Sequence, residues 1–245
     1  MIQSIFDQHT EELRHKIAAT LAEHLFRELS ISDVLKMYDD LVTPSENRGT
    51  KPAQPELDYD KFGDRIIQVE YVNAKLGGLQ NIGIDLPILF TPAQSLSTLM
   101  FVGMEPFRAN DIVDKATIGT PFALHQTSQN SSGSRIRTFL HQVLRDNYSI
   151  YVTDISKVYA KNGNHKYVGE PVTNQKIFEA ELRLIEPSNI FVFGKSALAR
   201  LKTFYIYDLP VIELAHPAAW GGNKKYYELF TTAMQDYNQA DTKVR

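Results

Sequence analysis

Beyond residue 97 the apolar positions follow a regular alternation of two patterns. Short apolar runs at 98–103, 149–155, 189–194 and 209–215 read as buried strands. Between and after them, apolar residues recur at helical spacing over 134–147, 173–186, 195–204 and 222–238. Strands that alternate with helices predict a parallel sheet covered on both faces. Upstream the pattern changes. Leu13, Ile17, Leu21 and Leu25 predict a helix within 7–27, with Asp7 as candidate cap and Glu11 and Glu12 near its positive end. A second short helix is expected from Ser32 to Leu41. Residues 42–60 carry Pro44, Pro52 and Pro55 among polar side chains and read as a loop or linker. Ile66 to Val72 reads as a strand, and from there to Ser97 the pattern is irregular. The expected organisation is a mostly helical extension over 1–95, packed on an α/β domain over 96–245.

Composition narrows the chemistry. The chain has 245 residues, 43% of them hydrophobic and 22% charged, ordinary for a globular protein. It has no cysteine, which removes disulfides, thiolate zinc sites and iron–sulfur clusters together. None of the seven His is paired with another in a recognisable metal motif, so no metal is expected. No apolar run is long enough to span a membrane, and the first residues lack the basic start and apolar core of a signal peptide. A cytoplasmic protein is expected. A net charge of −3 argues against a surface that grips nucleic acid everywhere, though not against a local basic groove. Gly194-Lys195-Ser196-Ala197 makes a strand-to-helix switch but lacks the further glycines of a nucleotide loop, so no cofactor is indicated.

Candidate chemistry gathers at the predicted strand ends, where open α/β sheets place their ligands. In Leu99-Met100-Phe101-Val102-Gly103-Met104-Glu105-Pro106-Phe107 an apolar run breaks into Gly, a carboxylate, Pro and an aromatic ring. A Glu in such a turn is also an ordinary surface residue; the rest of the chain changes its standing. Asp154 ends the second strand and His216 follows the fourth. Between Glu105 and Asp154 lie Gly119-Thr120-Pro121-Phe122 and Ser131-Ser132-Gly133-Ser134-Arg135. Tyr151-Val152-Thr153-Asp154, Phe193-Gly194-Lys195 and His216-Pro217-Ala218-Ala219-Trp220 follow in that order.

In type, order and spacing these motifs resemble the uracil-DNA glycosylase superfamily, over about 98–235. The resemblance implies a three-layer α/β/α sandwich with a central four-stranded parallel sheet, and a DNA base flipped into a pocket at its C-terminal edge. It implies a hydrolytic N-glycosylase that needs no cofactor and has DNA as partner. Glu105 matches the position of the acid that stabilises positive charge on the sugar and orients water, usually Asp in the main uracil-excising branch. His216 matches the donor to the base O2, an oxyanion-type role worth roughly 3 kcal/mol. Phe122 matches the ring that stacks on the base. Phe107 matches the tyrosine that crowds carbon 5, and Met104 belongs to the same base-binding motif. Trp220 matches the position region of an apolar wedge that fills the hole left by the flipped nucleotide. Phosphate contacts are expected from Ser131, Ser132, Ser134 and the helix start they mark, with Arg135, Lys195, Lys224 and Lys225 at other motif edges.

One departure carries the specificity. Uracil-specific relatives read the base with Asn at the end of the second strand, and this chain has Asp154 there. An ionised carboxylate can only accept, so it repels uracil O4. A protonated carboxyl accepts from the exocyclic amine of cytosine and donates to N3. The expected substrate is therefore cytosine or, since loss of ordinary cytosine would be toxic, a modified cytosine such as some virus DNA carries, which suits a defence role. Three other readings stand beside it. They are ordinary uracil excision, a non-catalytic module for DNA or modified bases, and a partner-binding protein dominated by residues 1–95.

Overall fold

The computed structural model describes residues 2–4, 10–26, 29–42, 56–57, 81–106, 115–124, 131–161, 171–204, 209–216 and 227–235. Its strands are β1 (Ile2–Ser4), β2 (Glu56–Leu57), β3 (Asn81–Asp85), β4 (Ile88–Pro92), β5 (Thr98–Gly103), β6 (Lys115–Gly119), β7 (Ser149–Asp154), β8 (Val158–Lys161), β9 (Asn189–Phe193) and β10 (Val211–Leu214). Its helices are α1 (Glu11–His24), α2 (Ile31–Val42), α3 (Ser131–Arg145), α4 (Pro171–Ile185), α5 (Lys195–Leu201) and α6 over 227–235.

The larger sheet runs in the order β1-β4-β7-β5-β9-β10. Its four neighbours β7, β5, β9 and β10 are mutually parallel, as the apolar runs predict. Every residue of β7 and β9 is buried, which is why these strands read as continuous apolar runs rather than alternations. On one face Phe101 stacks on Phe191, and both rings meet α3 and α6 through Phe139 and Phe230. On the other face Thr153 meets Glu181 of α4, and α1 packs outside α4. Helices, sheet and helices make the three layers.

Two features differ from the sequence expectation. First, the sheet continues past its parallel core: β4 pairs antiparallel with β7, and β1 antiparallel with β4. Second, β3, β6, β8 and β2 form a smaller four-stranded sheet. The stretch before Ser97 is therefore not irregular, because it holds β3 and β4. These strands have five residues each, with Leu86-Pro87 between them, too short for an alternation to stand out. Leu57 of β2 falls in the expected linker and pairs with Ala116. The expected strand over 66–72 and the capping Asp7 lie outside the described residues. The second helix starts one residue before the expected Ser32. There Ser30 Oγ accepts from the Asp33 amide at 3.2 Å and Asp33 Oδ2 accepts from the Ser30 amide at 2.8 Å. This reciprocal pair is a capping box with Asp in the acidic position.

Because β4 covers one edge of β7, deletion of residues 1–95 would leave a run of unpaired backbone groups in an apolar strand. The expected result is an aggregating or self-associating core, read by size-exclusion chromatography and light scattering. A monomeric, active core would show that residues 1–95 are dispensable.

Candidate active site at the C-terminal edge of the sheet

All four parallel strands end on one edge, and each end carries one of the predicted groups or its neighbour. Asp154 closes β7, Glu105 lies two residues beyond β5, Gly194 follows β9, and His216 lies two residues beyond β10. Adjacent strands are about 4.8 Å apart, so this arc spans about 14 Å. Backbone bonds tie the ends together: the Ile155 amide donates to Gly103 O at 3.0 Å, and the Gly194 amide donates to Leu214 O at 2.8 Å.

The tightest point is Gly103. It pairs in register with Asp154, and a Cβ placed on it would overlap Asp154 Oδ1 and lie 3.2 Å from Phe122 Cζ. The carboxyl of a residue only 4% exposed and the edge of an aromatic ring thus lean over the same glycine. Phe122 reaches that place through a left-handed backbone, φ 56°, followed by Ala123 at φ 55°. Two consecutive non-glycine residues in this region store strain, and such strain persists where packing over-determines it. Here Phe193 supplies that packing, edge to face with Phe122 at 5.1 Å between centroids. Gly103→Ala is expected to displace Asp154 or Phe122 at a cost of about 1–3 kcal/mol. A thermal melt checks the stability. A crystal structure of the variant with both side chains unmoved would overturn the crowding argument.

Glu105 is half-buried, and among the described residues its Oε2 has no hydrogen-bond partner. Burial pushes its carboxyl from 4.5 up to about 7. His216 is exposed, but its base lies against Gly194: a Cβ on that glycine would lie 3.3 Å from His216 Cβ. Burial lowers the imidazole below its ordinary 6.5, which favours the neutral ring at pH 7. Gly194 itself has φ +89°, a conformation that allows the chain to turn from β9 directly into α5.

The remaining predicted residues are placed less closely. Met104 is half-buried against the core, and its carbonyl accepts from the Ser156 amide at 3.1 Å. Ser131, Ser132, Ser134 and Arg135 open α3, and Lys195 opens α5 and is exposed. Phe107, Trp220, Lys224 and Lys225 lie outside the described residues.

Sequence reasoning passed over a polar cluster directly behind Asp154. Lys157, fully buried, lies 2.8 Å from Oε1 and 2.9 Å from Oε2 of Glu181, itself 2% exposed. Thr153 Oγ1 donates to the same carboxylate at 3.1 Å. Burial raises the Glu181 carboxyl, against the opposing pull of Lys157. A signal existed in α4, where Asn174 and Glu181 share the buried face with Ile177, Phe178 and Ile185. Polar residues on an apolar stripe need partners, and these have them.

No curated protein matches the chain at a significant level. A family model does: that of the uracil DNA glycosylase superfamily matches residues 92–238. The match takes in β5, β7, β9, β10 and the groups at their ends, and it extends over more than half of the sequence. With its parallel sheet and converging strand ends, the chain belongs to the uracil DNA glycosylase superfamily, a family of DNA glycosylases.

Proposed function

We propose that this glycosylase excises a cytosine-type base, in particular a modified cytosine, and leaves an abasic site. The observation that carries this reading is Asp154, a carboxyl 4% exposed where it leans over Gly103 beside Phe122. A cytosine edge stacked on Phe122 offers an exocyclic N–H to one carboxyl oxygen, and a protonated carboxyl would in addition donate its O–H to N3. Uracil presents the reverse pattern: an ionised carboxylate meets its O4 acceptor to acceptor, and a protonated one pairs with it only if the proton sits on the other oxygen.

In the reaction, the C1′–N bond breaks and its electron pair leaves with the base. A water oxygen bonds to C1′ and gives up a proton, which ends on the departing base anion and neutralises it. Glu105, ionised above pH about 7, stabilises the sugar cation and orients that water. Neutral His216 donates a hydrogen bond to O2 as negative charge gathers there. Trp220 fills the vacated stack, and the Ser131–Arg135 segment with Lys195, Lys224 and Lys225 contacts phosphates. A modified base of virus DNA as substrate suits a defence role in the cytoplasm.

The test is base release from duplexes and single strands that contain uracil, cytosine, 5-methyl-, hydroxymethyl- or glucosylated hydroxymethylcytosine, scored by alkali cleavage at abasic sites. Release of a cytosine-type base is the expected result. Release of uracil alone would return the protein to ordinary repair, the second reading, which the family's own description favours. No release from any substrate would favour a DNA-binding module instead.

A further inference from the structure

The peptide unit that leads out of Asp154 is gripped from both sides. Its carbonyl accepts from Lys157 Nζ at 2.8 Å, and its N–H, on Ile155, donates to Gly103 O at 3.0 Å. An ammonium group has three donors. Those of Lys157 go to the Asp154 carbonyl, to Glu181 and to Thr153 Oγ1. The next residues are fastened as well. The Ser156 amide donates to Met104 O at 3.1 Å, beside Glu105, and the Lys157 amide donates to Asn174 Oδ1 at 3.2 Å. Asn174 Nδ2 donates in turn to Ser156 Oγ at 3.0 Å. The segment 154–157 is thereby bolted to the β5 exit on one side and to α4 on the other.

We propose that the buried Lys157–Glu181 pair is a positioning device, which fixes the direction of the Asp154 carboxyl and so sets base specificity. Neither side chain touches the substrate; both act through the Asp154 carbonyl. The inference rests on the reading of Asp154 as the base-edge reader. A buried ion pair is weak support for stability, since well-packed apolar residues often replace one without loss. Removal of a single partner, in contrast, leaves an uncompensated buried charge. The useful variant is therefore the double one, Lys157→Met with Glu181→Leu, which keeps side-chain volume and removes both charges.

The experiment compares this double variant of the full chain with the wild type. Amide hydrogen exchange is read at Ile155 and Ser156, with Phe101 and Phe191 in the sheet as internal controls. Exchange at Ile155 and Ser156 is expected to rise at least about tenfold while the controls stay protected. Discrimination between cytosine-type and uracil substrates, as the ratio of kcat/KM values, is expected to fall by about 10²-fold. A folded double variant with wild-type exchange and wild-type discrimination would overturn the proposal. Loosened amides with unchanged discrimination would overturn the specificity role. Failure of the base-edge reading has a separate signature: Asp154→Asn, in an otherwise unaltered chain, leaves the base preference where it was.

Discussion

Glu105→Gln is expected to slow base release by orders of magnitude and, at the same time, to make the protein more stable above pH 7. Both effects follow from the burial of one carboxyl beyond β5. Its pKa is raised from 4.5 to about 7, so between those values the folded state holds a proton that the unfolded state has released. Stability therefore falls as pH rises through this window, and the cost is fully present above 7. The upper bound for a shift from 4.5 to about 7 is ~3 kcal/mol. Water reaches part of the group, which reduces the effect to about 1 kcal/mol. Gln is nearly isosteric and does not titrate, so its stability gain over the wild type grows across the same interval. Activity runs the opposite way. Only the carboxylate stabilises a sugar cation, so wild-type kcat/KM should climb with a midpoint near 7. The Gln variant should lose about 10²–10⁴-fold and lack that rising limb. Thermal melts and single-turnover rates from pH 5 to 9 read both. A variant that retains the wild-type rate would remove Glu105 from the chemistry, whatever its effect on Tm.

Asp154→Asn is expected to move base preference from the cytosine type toward uracil. The substitution changes no heavy-atom position, so the carboxamide fits the same crowded place over Gly103. What changes is the hydrogen-bond pattern. An amide donates through nitrogen and accepts through oxygen, which matches uracil O4 and N3–H. One acceptor-to-acceptor contact at uracil O4 is relieved, and a buried mismatch of this kind costs about 1–3 kcal/mol, so the ratio of kcat/KM values changes by about 10–10²-fold. Competition between uracil- and cytosine-type duplexes in one tube reads this ratio directly. If the wild type already prefers uracil and the variant behaves alike, Asp154 does not read the base edge.

Much of this site is legible in the amino-acid string for a definite reason. A parallel strand covered on both faces is mostly apolar, so β5, β7 and β9 announce themselves as short apolar runs. Where such a run stops at a glycine, an acid or a histidine, the stop marks the strand's end. Glu105, Asp154 and His216 could thus be singled out together, and the order of motifs pointed to the family that the family model bears out. Other parts were hidden. The short strands β3, β4, β6 and β8 have too few residues to display a period, and partners distant in sequence decide their existence. A single Lys after a strand reads as a surface residue. The burial of Lys157 becomes visible only once α4 delivers Glu181, 24 residues further along, against it.

The sequence by itself determined the parallel core, the positions where its strands stop and the chemical groups carried there, because these depend on local composition and burial pattern. Tertiary structure alone decided which stops face one another. It set Asp154 opposite Gly103, put Phe122 into a left-handed turn against Phe193, and enclosed Glu105 until its carboxyl titrates near neutrality. Those properties come from neighbours tens of residues away in the chain. Register, strain and desolvation are relations between segments, and no segment holds them alone.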